Sequence, residues 1–85
     1  MKKELARKLI EALACAEVPV QKIDFLVSTL EEDEKEKLVQ ILGQLVGSHT
    51  ELLMHIKKQF PEFDPEGEGR DLYERAKRSF ESKYS

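Results

Sequence analysis

The sequence predicts an all-α protein, a small orthogonal or bundle-like domain of four to five short helices. Two observations carry that expectation. Apolar residues recur at three- and four-residue spacing nearly everywhere. No stretch alternates apolar and polar residues as a half-buried strand would. Chain length adds a third constraint. The 85 residues make one domain, 1–85, and a chain of this size buries only about 60–65% of its unfolded surface. Dimerisation is a natural way for so thin a core to bury more, and a homodimer is part of the expectation.

The elements follow in order. Leu5, Leu9, Ala12, Leu13 and Ala16 form one stripe of a first helix, with Ala6 and Ile10 beside it. Pro19 cannot continue that helix but suits the first turn of the next, so a break is expected there. Val20, Ile23, Leu26, Val27 and Leu30 define a short second helix, and the chain turns around residues 28–31. In "LEEDEKEKL" the acids come first and the lysines later, as a helix dipole prefers at an N-terminus. Pro61, Pro65, Gly67 and Gly69 mark a loop. A last helix begins at Arg70 or Asp71 and carries Leu72, Tyr73, Ala76, Phe80 and Tyr84 on one side.

The middle of the chain poses a geometric problem. At 100° per residue, Leu42, Leu45, His49, Leu52, Ile56 and Phe60 all fall within about 40° of Leu38. A continuous helix from Leu38 to Phe60 would be about 33 Å long, whereas a compact globule of this size is about 30 Å across. Either the helix breaks at Gly47, with Ser48 and Glu51 forming a capping box, or it stays whole and packs its projecting part on a second copy. The cost of about 1 kcal/mol for each of Gly43 and Gly47 inside a helix favours the break. In a whole helix, Gly43, Gly47, Thr50 and Met54 would form a groove of small residues opposite the leucine stripe.

Charge and cysteine content narrow the function classes. Net charge is -3, with acidic runs at residues 31–37 and 61–71 and basic residues at both ends. Cys15 stands alone, which excludes an intrachain disulfide and fits a reducing compartment. Glu4, Arg7, Lys8 and Glu11 interrupt any secretory leader, and no segment approaches the roughly 20 apolar residues of a membrane span. A cytoplasmic location is expected, with no membrane as partner.

The chemistry-bearing residues are sparse. His49 and His55 lie six positions apart, about 120° around a helix, so they cannot share one ion as a four-residue pair does. No metal site and no cofactor is expected. His49 falls within the leucine stripe. Its expected state is partial burial with a hydrogen bond to a backbone carbonyl, and its functional alternative is a pH-sensitive element in a core or dimer seam. "DPEGEGRDLYER" places Asp64, Glu66, Glu68 and Gly69 like the opening of a calcium loop, but Arg75 stands where a bidentate glutamate is needed. Cys15 has no basic residue within a turn on its face to activate it. An enzyme is not expected.

Two interaction readings remain. Phe25, Met54, Phe60 and Phe63 lie off the main stripes or beside a charged loop, and are the candidate anchors of a protein interface. The expected function is therefore non-enzymatic binding of another protein, as a small cytoplasmic regulator, adaptor or inhibitor acting through an apolar helical surface. The alternative is a nucleic-acid-associated factor using the basic C-terminal helix "RDLYERAKRSFESKY". The net acidity and the packing-type spacing of its aromatics make nucleic acid the weaker reading.

Overall fold

The computed structural model describes residues 1–84, the side chain of Tyr84 excepted. The all-α class holds among these residues, but fewer and longer helices replace the expected four or five. Helix α1 spans Lys3–Ser28, α2 spans Glu32–Gln59 and α3 spans Arg70–Tyr84, with a single 3-10 turn at Pro61–Phe63.

Pro19 lies inside α1 rather than between two helices. It deprives the Cys15 carbonyl of the N–H four residues on and costs about 3 kcal/mol in a helix interior. Packing on both sides of the proline holds the helix together. Before it, Glu17 accepts a hydrogen bond from Tyr73 of α3. After it, Val27 is buried near the α1–α2 turn. Thr29 ends α1, its N–H and its hydroxyl both donating to the Leu26 carbonyl.

Helix α2 runs unbroken through Gly47, so the expected break does not form and Ser48 is an interior residue. No glycine adopts a positive φ. The apolar stripe stays in phase across Gly47, and a break would take half of it off α1. At 28 residues α2 is about 42 Å long, which sets the longest dimension of the molecule, 44 Å. The radius of gyration is 14.5 Å, against about 12 Å for a compact chain of this size.

The core sits at one end of this hairpin. Ala6, Ile10 and Ala14 of α1 meet Ile56 of α2, Phe63 of the turn and Tyr73 of α3, with Leu13, Leu53, Phe60, Leu72 and Ala76 packed around them. The inward face of α1 therefore differs from the expected one. Leu5, Leu9, Ala12 and Ala16 are exposed, and the buried line runs through the residues next to them. The reason is α3, which runs antiparallel along the first half of α1. Tyr73 lies by Glu17, the Ala76 carbonyl lies 3.6 Å from Cys15 Sγ, and Lys83 shares a cleft with Arg7. Alanines at positions 6 and 14 let helices approach α1 closely; the leucine stripe does not.

The connection from α2 to α3 is organised by Asp64. Its backbone carbonyl accepts N–H bonds from Gly67 and Gly69 at 2.9 Å each. Its carboxylate accepts the Glu66 N–H at 2.9 Å and pairs with Lys57 at 3.5 Å. Gly69 is buried against the Phe63 backbone, and a Cβ there would lie 2.5 Å from the Phe63 carbonyl oxygen.

Candidate protein-binding surfaces

Because α3 covers only the base of the hairpin, about half of α1 and α2 projects beyond it as a two-helix arm. Ile23, Phe25 and Leu26 of α1 and Leu38, Val39, Ile41, Leu45 and Val46 of α2 are all exposed there. Ile41 reaches 61% exposure. Two distinct surfaces result.

The first lies on the α3 side, as a notch where α3 stops. It is a groove of about 420 Å³ lined by Val20, Gln21 and Asp24 of α1, Val46, Thr50 and Leu53 of α2, and Tyr73 of α3. Its inner end is polar and already satisfied. The Tyr73 hydroxyl donates to Glu17 Oε2. Lys77 Nζ lies 3.6 Å from Glu17 Oε1, and Gln21 Nε2 donates to that same oxygen at 3.1 Å. Burial pushes the Tyr73 hydroxyl well above its ordinary titration range, and the bond to Glu17 and the charges of Glu17 and Glu74 push it the same way. His49 borders the groove, and its Nε2 lies 2.7 Å from the Leu13 carbonyl. A carbonyl only accepts, so Nε2 carries the proton. This is the partly buried, carbonyl-bonded histidine that the leucine stripe predicts.

The second surface lies on the opposite side of the hairpin. Over α1, Leu5, Leu9, Ala12, Ala16, Pro19 and Ile23 are exposed within a sector of about 80° that contains no charged side chain. On α2, Leu38, Ile41, Leu45 and Leu52 occupy the matching edge, also without a charge among them. The antiparallel sense of the hairpin puts both stripes on one side, away from the notch residues Val46 and Thr50, with Ala12 at the edge of the cleft between α1 and α3.

The four anchor candidates separate. Phe25 is 67% exposed at the arm and Met54 is 52% exposed on the outer side of α2. Phe63 belongs to the core at 7% exposure, and Phe60 is half-buried against it, their ring centroids 5.9 Å apart. Phe60 and Phe63 therefore close the base of the hairpin, because the 3-10 turn folds Pro61–Phe63 back over α1. Sequence reasoning missed the exposed stripes of both helices, because periodicity marks an apolar face without saying what covers it.

The other chemical candidates are dispersed. Exposed His55 contacts Gln59 at 3.0 Å. Cys15 donates to the Ala76 carbonyl in a cleft between α1 and α3. Among the described residues no three His, Cys, Asp or Glu side chains gather as metal ligands, and no helix is long and apolar enough to cross a membrane. Compared with protein-family models, curated proteins and solved structures, the chain matches none of them.

Proposed function

We propose that this chain is a non-enzymatic protein-binding module, a small regulator or adaptor that receives a helix of another protein in the notch beside α3. The carrying observation is a groove whose walls, Val20, Val46 and Leu53, are apolar, with exposed Phe25 one helical turn along α1 from the lining residue Gln21. A helix laid there would continue the track of α3 along α1 and cover the arm. Gly43 and Gly47 have open space around them on the outer side of α2, which leaves room for close approach, and Met54 supplies a flexible apolar contact.

Charge defines the partner further. Asp24 lines the groove, and the nearby apex carries Glu31, Glu32, Asp33, Glu34 and Glu36. The fitting ligand is an amphipathic helix with basic margins. The polar groups nearest the groove support binding over catalysis, because Glu17, Tyr73 and His49 already bond within the chain.

Affinity capture from host lysate tests this reading, with wild type, Phe25→Asp and Met54→Glu compared. A protein retained by the wild type and lost from both variants is the expected result. An identical set of retained proteins on all three would overturn it.

A further inference from the structure

We infer that the apolar face opposite α3 is the contact surface of a symmetric antiparallel homodimer, in which two hairpins stack face to face as a four-helix core. This goes beyond the notch reading, which uses the other side of the arm.

Surface area makes the first argument. The chain exposes 6508 Å², whereas a compact monomer of 9.8 kDa exposes about 5,200 Å². The excess of about 1,300 Å² exceeds the roughly 800 Å² that each partner contributes to a standard interface. It matches the larger, more apolar interfaces of permanent homodimers. The exposed uncharged stripe from Leu5 to Ile23 is about 27 Å long at 1.5 Å per residue, and two adjacent helices give it width. That shape suits another hairpin of the same length.

Charge gives the orientation. At the apex, residues 31–37 carry five acids and two lysines. At the base, Arg7 pairs with Glu4 and Glu11, and Lys57 pairs with Asp64 of the acidic connection, which leaves Lys2, Lys3, Lys8 and Lys58 with no ion pair among the described residues. Antiparallel stacking sets each acidic apex beside the partner's basic base. Parallel stacking would set like charges together, which is unfavourable.

Side-chain size gives the register. Ala12 and Ala16 lie near the middle of the α1 stripe, with Leu5 and Leu9 on one side and Ile23 and Leu26 on the other. A two-fold axis beside Ala16 lets the α1 helices cross closely where their side chains are small. Leu9 then meets the partner's Ile23. The same axis passes between Leu45 and Ser48 of α2. It pairs Ile41 with the partner's Leu52 and brings Glu34 beside the partner's Gln59. Contacts of this kind are self-complementary, as a two-fold interface requires.

The test uses the full chain. Sedimentation equilibrium over a wide dilution range should give the mass of two chains, and Leu45→Glu should give the mass of one with its helical circular dichroism retained. Met54→Glu, on the other side of α2, should stay dimeric, so loss of partner capture and loss of the dimer can be told apart. Orientation is read from Glu34→Cys and Gln59→Cys chains in a Cys15→Ala background under mild oxidation. The two mixed together should cross-link to each other, and each alone should cross-link far less. A monomeric wild type, a dimer indifferent to Leu45→Glu, or self-cross-linking of either cysteine chain alone would overturn the proposal.

Discussion

The Tyr73 hydroxyl donates to Glu17 Oε2 across the seam between α3 and α1, and this bond secures α3 where the arm begins. Tyr73 is nearly fully buried, so its ionised form is disfavoured and its folded pKa is raised above the ordinary value of about 10. A raised folded value means that the stability it contributes is complete below about pH 10 and drains away as pH climbs further. Thermal melts of wild type and Tyr73→Phe should therefore differ by about 1.5 kcal/mol at neutral pH, the lower end for a bond to a charged group because Glu17 keeps contact with water. That difference should shrink above pH 10. A difference that grows with alkalinity would contradict the assignment.

The glycines divide by what surrounds them. At Gly43 and Gly47 a methyl group in place of the α-hydrogen would meet no atom within 4 Å, and both sit in a helix interior where alanine is favoured by about 1 kcal/mol. Gly43→Ala and Gly47→Ala should each raise the stability of the isolated chain by about that amount in urea unfolding. Gly69→Ala should do the reverse, losing on the order of 1–3 kcal/mol, because the added carbon overlaps backbone that cannot swing aside.

Pro19→Ala restores the N–H that the Cys15 carbonyl lacks. The expected gain is about 2 kcal/mol, below the full interior penalty of about 3 because proline also restricts the unfolded chain. Urea unfolding measures it directly, and a loss of stability would mean that the local shape of α1 at Pro19 is needed for packing on α2 and α3.

His49→Leu should change stability at pH 7 by less than about 1 kcal/mol. The lost hydrogen bond is worth about 1 kcal/mol, the Leu13 carbonyl keeps its helical N–H, and the leucine adds apolar burial of similar size. A loss of several kcal/mol in denaturant titration would show that the ring holds α1 and α2 together by more than this bond.

The helices themselves are legible in the sequence, because three- and four-residue spacing persists from Leu5 to Phe80. Their ends are less so. Pro19 and Gly47 carry real local penalties, yet tertiary packing exceeds both, and local rules cannot weigh contacts made with α3 more than 50 residues away, such as Glu17 with Tyr73. The stripe on α1 is apolar, as its spacing says, but it is not the buried face. Leu5 and Leu9 are larger than Ala6 and Ala14, and size alone points to them as core. Close helix packing selects the alanines instead. The carbonyl bond of His49 follows from its phase in the leucine stripe. The separation of Phe25 from Phe63 does not, since nothing in "FPEF" tells that its second ring folds under the hairpin.

The placement of the core at one end of α1 and α2 implies two zones of different cooperativity. Backbone amides around Ile10, Ala14 and Ile56 open only with global unfolding, whereas those between Lys22 and Leu45 are guarded by two helices alone and can open as a smaller unit. Hydrogen exchange should thus be graded along the hairpin, slow at the base and fast toward the apex. In a stacked pair of hairpins the fast zone of each would lie over the slow zone of the other, so protection of the apex would rise with protein concentration while protection of the base changed little.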